Sequence, residues 1–463
     1  MTNELDAVTL ADLVRVATAP DFPRWQWQME RTGGCAHPVR IAGWRKTVDR
    51  ATGEMIAERS YSTADEPGGA LRLACGNRRA SRCPSCAWLY AGDTFHLIRA
   101  GLTGDHTKGV PTVVRSHPKV FATLTAPSFG PVHNIPESGR CRCRLRHADG
   151  DPQLGTPLDP DRYDYAHAVL WNNHAGELWQ RFTIYLGRAV ADRAGIPRSK
   201  AGEHFRLSFA KVAEYQRRGA VHFHAIVRLD GPEGAGEEPP AWATAELLAD
   251  AIRYAAGRVS VSVAAAGSRP ARMLRWGSQV EVHEITRVGN GGELTEEAVA
   301  GYVAKYATKA AETTETVDRR IGELAELDKL SIPPHTRRLI EACWELDEYY
   351  PDRKLAHWSH MLGFRGHFAS KSKRYSTTLG ALRQVRADWR ARQERRDHGM
   401  PEQDDADTEG STLVVAHWRY AGSGLTPGES MFAAGIARQL AFNREMRKEL
   451  QATWEEEDAW LVA

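Results

Sequence analysis

The spacing of apolar and polar positions divides the chain into segments of different period. Residues 119–125, Lys-Val-Phe-Ala-Thr-Leu-Thr, form a short β-branched and aromatic run closed by Ala126-Pro127, which predicts a strand. From Tyr163 to about Asp192, Ala168, Leu170, Trp171, Leu178, Trp179, Phe182, Leu186 and Val190 recur at helical spacing. Residues 204–215 and 221–229 are strand-like runs on either side of a basic turn that ends at Gly219, which predicts a β-hairpin. A polar loop over 231–240 precedes a helix at 243–257, and residues 276–285 alternate as a strand. A helix is predicted over 294–311. Thr295 fits its N-cap, Glu296 and Glu297 suit the positive end of the dipole, and Leu294 can staple to Val299. Residues 379–396 predict a helix that packs through Leu382, Val385 and Trp389, and a last helical run begins near Glu429.

These segments suggest four regions: 1–112, bearing clustered cysteines; 113–312, the alternating strands and helices; 313–400, strongly basic; and 401–463, an acidic linker with a small terminal element. The 463 residues are 42% hydrophobic and 26% charged, enough to bury real cores. Neither an apolar run of membrane-spanning length nor a secretory start over 1–13 is evident, so a cytoplasmic protein without a membrane partner is expected. The formal net charge of +2 conceals an asymmetry. Residues 353–396 carry twelve Arg and Lys against Asp388 and Glu394, while acidic stretches at 402–409 and 455–458 offset them. Such a segment suits a nucleic-acid backbone. Arg365, Lys371, Lys373 and Arg374 are its candidate DNA contacts, with His357, Trp358, Phe364, His367, Phe368 and Tyr375 interleaved as faces for unpaired bases. A solvated basic helix is the plainer alternative.

Seven cysteines, an odd number, argue against a disulfide framework. Cys83-Pro-Ser-Cys86 is a C-x-x-C knuckle with Cys75 upstream, and Arg78, Arg79 and Arg82 nearby favour thiolates. Cys35, with His37 behind it, is the candidate fourth ligand of a structural Zn²⁺; a redox pair or incidental cysteines are the alternatives. Cys141-Arg-Cys143, with His133 upstream and His147 downstream, is a candidate second zinc site or else an exposed basic loop.

Three further elements bear chemistry. On the second hairpin strand, His222-Phe223-His224 places both imidazoles on one face. If the loop is Arg217-Arg218-Gly219, Glu214 stands opposite His222 on that same face, and the three side chains can hold one divalent ion. In the helix at 294–311, Tyr302 and Tyr306 lie one turn apart on one side, each followed one turn later by Lys305 or Lys309. A phenol is a poor nucleophile near neutrality, and a nearby ammonium and a metal-polarised phosphate would help it attack. Thr123 and Thr125 on the 119–125 strand are within reach of a phosphate, although packing explains each more simply.

Taken in order, the FxTLT strand, the HxH strand after a Glu-bearing partner and the later YxxKY helix resemble the HUH endonucleases. More closely, the chain is similar to rolling-circle replication initiators of actinobacterial plasmids and integrative conjugative elements. The likeness extends to Cys75-Gly-Asn-Arg-Arg, Leu158-Asp-Pro-Asp-Arg-Tyr-Asp-Tyr165, Leu362-Gly-Phe-Arg-Gly-His367 and Lys371-Ser-Lys-Arg-Tyr-Ser-Thr-Thr378. It implies an α+β fold with a central, largely antiparallel sheet, the His strand in its middle and the tyrosine helix facing it, flanked by the zinc-bearing and basic regions. It also implies Mg²⁺ or Mn²⁺ on His222 and His224, with Glu214 the candidate third ligand. A tyrosine would become joined to the 5′ end of single-stranded origin DNA, and the freed 3′-OH would prime synthesis. Both tyrosines are candidates, Tyr306 weighted slightly more because Lys309 follows it. The zinc region is a candidate reader of duplex origin DNA. The sequence has no G-x-x-x-x-G-K-[ST] loop, so a host helicase and polymerase are the expected partners. A conjugative relaxase or transposase with the same chemistry, and a non-catalytic zinc-dependent DNA-binding regulator, remain as alternatives.

Overall fold

The computed structural model describes residues 6–136, 139–286, 294–309, 319–397 and 412–462; the expected acidic linker at 402–409 lies outside them. The chain forms two compact units, 1–90 with 387–463 and 91–386. These units cut across the boundaries expected at 112, 312 and 400, and strand pairing explains why. The strand Thr412–Ser423 runs antiparallel along Val39–Asp49, from Val39↔Ser423 to Asp49↔Thr412, so the two ends of the chain share one sheet. Ala369–Lys371, expected in a separate basic region, instead pairs antiparallel with Arg206–Tyr215 inside the second unit's own main sheet.

In the first unit, Val39–Asp49 also pairs with Met55–Ser62 and Leu71–Leu73. The helix Phe22–Arg31 buries Trp25 and Met29 against Phe432 and Ala433 of the helix Pro427–Val462. Gly34 sits at φ +69°, and a Cβ there would meet the Ala433 carbonyl at 2.6 Å, so this approach requires glycine.

The second unit is built on an open six-stranded sheet. Its strands are β1 (Lys119–Leu124), β2 (Arg206–Tyr215), β3 (Val221–Asp230), β4 (Val280–Thr286), β5 (Leu294–Thr295) and β6 (Ala369–Lys371), in the order β5-β4-β1-β3-β2-β6. Only the β4–β5 pair is parallel. This is the mixed α+β, antiparallel class expected. Helix α1 (Tyr165–Arg193) presses Trp179 onto Phe209 and Phe223, with ring centroids 5.2 and 5.8 Å apart. Phe223 is fully buried, worth about 1.5–3 kcal/mol relative to exposure. That packing fixes the register of β3, because a one-residue slip would turn both neighbouring histidines into this apolar layer.

Helix α2 (Ala245–Arg258) covers the same face, and α3 (Glu296–Lys309) lies over the other. Asn172 of α1 ties the layers together. Its Nδ2 donates to the Gly219 and Leu362 carbonyls, each at 2.9 Å, and its Oδ1 accepts from Val221 N–H at 2.9 Å. At the far end of the hairpin, buried Asp230 accepts from Arg228 Nε at 2.6 Å and Ser208 Oγ at 2.6 Å, and pairs with His117 Nδ1 at 2.8 Å. These partners neutralise a charge that would be costly alone.

Two expectations change here. The strand expected over 276–285 begins only at Val280. Gly277 breaks it by donating to the Thr125 carbonyl at 2.8 Å, and Trp276 is buried against Trp171 with centroids 5.5 Å apart. In the helix Leu379–Asp397, Leu382 is buried but Trp389 is 57% exposed, so Trp389 is not part of its packing side.

Candidate active site and metal centres

The hairpin forms with the register its loop predicts. Gln216 N–H bonds to the Ala220 carbonyl at 2.9 Å, leaving Arg217-Arg218-Gly219 as the loop, and Gly219 takes φ +73°. Glu214 therefore pairs with His222 and Val212 with His224. Glu214 Oε2 lies 3.0 Å from both His222 Nε2 and His224 Nε2. The three donors all fall within 4.8 Å of one another. On the neighbouring strand, Thr123 pairs with His224, and its Oγ1 lies 3.0 Å from His224 Nδ1. Phe121 stacks on the His224 ring at 5.7 Å with planes 6° apart. These two contacts fix the imidazole's rotation.

Helix α3 is anchored at its start. Thr295 Oγ1 accepts from Ala298 N–H at 3.2 Å, and Glu296 pairs with buried Lys119 of β1 at 2.8 Å. The parallel pair Leu294–Ile285 and Thr295–Thr286 sets the approach angle just before the helix begins. About two turns after Thr295, the Tyr302 hydroxyl lies 3.2 Å from His224 Nε2, and its ring meets Phe121 edge-on at 5.6 Å. Tyr302 is 37% exposed, so the phenol can be reached from solvent. Lys305 is exposed on the same helix. The side chains of Tyr306 and Lys309 lie outside the described residues.

The electrostatics suit a cation. Burial pushes the Glu214 carboxyl up, but hydrogen bonds from His222 and His224 outweigh this and hold it below the usual carboxylate range. Burial holds His224 below the ordinary imidazole value, against the opposing pull of Glu214. A carboxylate beside a neutral imidazole is a ligand set for a divalent ion. A cavity of about 490 Å³ opens over these residues, lined also by Gln216, Gln279, Glu281 and His283. Sequence reasoning passed over Glu281 and His283, and nothing in a single strand's pattern marks them. It treated Thr123 as packing, whereas its hydroxyl contacts the metal-ligand candidate.

The cysteine clusters are equally concrete. Cys75 and Cys86 sulfurs are 3.6 Å apart, Cys83 and Cys35 3.8 Å, and Cys86 and Cys35 3.7 Å. A disulfide is only about 2.05 Å long, whereas a tetrahedron with ~2.3 Å Zn–S arms has edges of about 3.8 Å. Backbone N–H groups of Ala36, Cys75 and Asn77 point at Cys83, Cys35 and Cys75 at 3.3–3.4 Å, as suits thiolates. These residues fit a Cys₄ zinc. The second candidate also converges: His133, Cys141, Cys143 and His147 bring one donor atom each within 4.8 Å of the others.

The basic segment is placed differently from expectation. Phe364, Phe368 and Tyr375 are at most 1% exposed and cannot stack on bases. They are buried because β6 extends the hairpin's edge, with Ala213 N–H bonded to the Phe368 carbonyl at 2.7 Å and Phe364 packed on Phe223 at 6.3 Å. Lys371 is half-buried and its Nζ donates to the Ser372, Lys373 and Ser376 carbonyls, so it serves the fold. Arg365, Lys373 and Arg374 are exposed. None of the four lines the cavity over His222 and His224. No described helix is long and apolar enough to cross a membrane.

An open α+β sheet carrying two histidines and a glutamate beside a helical tyrosine sets the class of site, and comparison with known proteins places the chain. The family described as RepSA, the replication initiator protein of pSAM2, matches residues 21–438. A replication initiator protein of Streptomyces ambofaciens is 62% identical over 447 residues, covering 96% of this chain and 96% of that one. No solved structure matches. The chain belongs to the RepSA family of replication initiators.

Proposed function

We propose that this initiator is an HUH-type endonuclease that nicks one strand of a plasmid or mobile-element origin and so starts rolling-circle replication. The observation that carries this reading is the Tyr302 hydroxyl at 3.2 Å from His224 Nε2, at the edge of the Glu214, His222 and His224 donor set. That set fits Mg²⁺ or Mn²⁺, and its imidazoles favour Mn²⁺ in affinity. A bound ion would offset charge on the phosphoryl oxygens.

The chain's own groups supply the rest. Thr123 and Phe121 hold His224 in place, and Glu296 and Thr295 fix the helix that presents Tyr302. Tyr302 oxygen bonds to phosphorus, the phosphorus–O3′ bond breaks, and the phenolic proton is lost to solvent or the departing oxygen. The 5′ phosphate is left on tyrosine, and the free 3′-OH primes synthesis. Tyr306, one helical turn on, is the candidate for a second cut. Zinc at Cys35, Cys75, Cys83 and Cys86 holds the first unit, which we assign to duplex origin DNA. A host helicase and polymerase complete the reaction.

The test is nicking of a supercoiled plasmid carrying the cognate origin, with Mn²⁺. The wild-type chain should yield open circles, and the His222→Ala/His224→Ala variant should bind the origin without cutting it. Cutting at the wild-type rate by that variant removes the metal centre from the account; binding without cutting by the wild type would favour a non-catalytic initiator.

A further inference from the structure

A cavity of about 660 Å³ in the second unit lies beside the candidate active site rather than in it. It shares Thr125, Gln216 and Gln279 with the cavity over His222 and His224, so the two lie side by side on a common wall. One wall is the hairpin turn with Arg217 and Arg218; the other includes His133 and Arg142, from the segment that bears Cys141 and Cys143. We infer that a zinc ion held by His133, Cys141, Cys143 and His147 stiffens this second wall, and that the larger cavity seats the phosphates of the single strand running from the cut. The inference rests on the nicking site proposed above.

The metal site stands on geometry. His147 Nε2 is 3.2 Å from Cys143 Sγ and 3.3 Å from His133 Nδ1. Tetrahedral zinc with ~2.0–2.1 Å Zn–N arms separates two nitrogen ligands by about 3.3 Å. The other His147 nitrogen, Nδ1, lies 2.6 Å from Asp151 Oδ2, the carboxylate–histidine–metal arrangement that orients ligating imidazoles. The His147 side chain is 1% exposed, although the segment around it is polar and has few apolar side chains to bury it. A convergent set of two thiols and two imidazoles, with Cys141 buried and the other three half-buried, needs a reason to hold together, and a metal ion provides one.

The sequence shows what that ion does for the surface. In Arg140-Cys-Arg-Cys-Arg144, Cys141 is buried and Cys143 half-buried, while Arg140, Arg142 and Arg144 are exposed, as is Arg146 beyond them. Drawing the cysteines to one ion turns the arginines outward. The wall is then fastened to the hairpin turn. Arg217 donates to the Asp149 carbonyl at 2.7 Å, and Gly155 comes so near that a Cβ would lie 2.5 Å from Arg217. Arg218 grips the Pro127 and Ala126 carbonyls at 2.7 and 2.8 Å, joining the turn to the end of β1. Among the described residues no Phe, Tyr or Trp lines this larger cavity, so it takes backbone phosphates rather than stacked bases.

The experiment compares the full chain with Cys141→Ser/Cys143→Ser and with Arg142→Gln/Arg217→Gln. It measures zinc per chain by plasma mass spectrometry, and the affinity for a single-stranded oligonucleotide over a salt series by fluorescence anisotropy, without added Mg²⁺ or Mn²⁺. The cysteine variant should carry one zinc fewer and bind the oligonucleotide more weakly. The arginine variant should keep its zinc while its salt slope flattens by about 0.7 for each phosphate it no longer neutralises. Unchanged zinc in the cysteine variant overturns the metal site. An unchanged slope in the arginine variant overturns the phosphate cleft, even where the cysteine variant fails to fold. A salt slope for a duplex of the same sequence that flattens as much in the arginine variant as the single-strand slope does overturns the assignment to single strands. Since no readout involves cutting, absence of nicking by the wild type would defeat the nuclease reading and leave these results standing.

Discussion

Thr123 offers a sharp test of how the candidate metal centre is built. When His224 presents Nε2 to an ion, its proton sits on Nδ1, and Thr123 Oγ1, 3.0 Å away, accepts it. Thr123→Val keeps the β-branched shape that suits a strand but removes that acceptor. The other tautomer, with the proton on Nε2 and directed at Glu214 only 3.0 Å away, then gains weight, and it cannot ligate. A lost neutral hydrogen bond is worth roughly 1 kcal/mol. Loss of an outer partner of a ligating histidine costs about 10–100-fold in metal affinity, or about 1.4–2.7 kcal/mol. The expected outcome is therefore Mn²⁺ binding weakened within that range, read by calorimetric titration or by the paramagnetic signal of free Mn²⁺. The melting temperature should change little, because Thr123 is only half-buried. Thr123→Ser, which restores a hydroxyl, should recover most of the affinity. Wild-type Mn²⁺ affinity in the valine variant, or a serine variant as weak as valine, would refute the argument that the hydroxyl sets the tautomer.

Other parts of the structure yield further expectations. Asn172→Ala should lower unfolding free energy in urea by about 3 kcal/mol, since it leaves three buried backbone groups without partners; a loss below about 1 kcal/mol would show that the hairpin does not depend on it. Burial among Phe223 and Trp179 pushes the Lys211 ammonium down to about 7 from 10.5. Between those values the unfolded chain holds a proton the folded chain has shed, so this group's contribution to stability improves as pH rises and its penalty is full below about 7. Lys211→Met should accordingly stabilise the protein by about 1–4 kcal/mol near pH 6.5 and by less near pH 10, and a pH-independent difference in melting temperature would contradict this. Cys86→Ser should remove one zinc per chain and lower the melting temperature; a full zinc content would dismiss the Cys₄ site.

Much of the candidate site could be read locally. The glycine at the end of a three-residue loop set the Glu214–His222 pairing, and strand alternation placed His222 and His224 on one face. Thr295 and two glutamates marked where the tyrosine helix starts. What escaped depended on neighbours distant in sequence. Thr123 touches His224 only because β1 lies beside β3, an order that periodicity does not encode. The role of Asn172 depends on which turn lies under the helix. Phe364, Phe368 and Tyr375 looked like exposed aromatics among basic residues, because a three-residue edge strand leaves almost no pattern of its own. The two-ended first unit was equally hidden, since its closing strand lies hundreds of residues from its partner.

The central claim is that a tyrosine of α3, presented to the His222–His224 centre, becomes covalently attached to the nicked strand. The most direct measurement is mass spectrometry of tryptic peptides after reaction with origin single-stranded DNA and Mn²⁺, for the wild type, Tyr302→Phe and Tyr302→Phe/Tyr306→Phe. The account predicts a 5′-phosphonucleotide on Tyr302 in the wild type and no adduct in the double variant. An adduct that persists in the double variant, or that maps to a residue outside this helix, would contradict it.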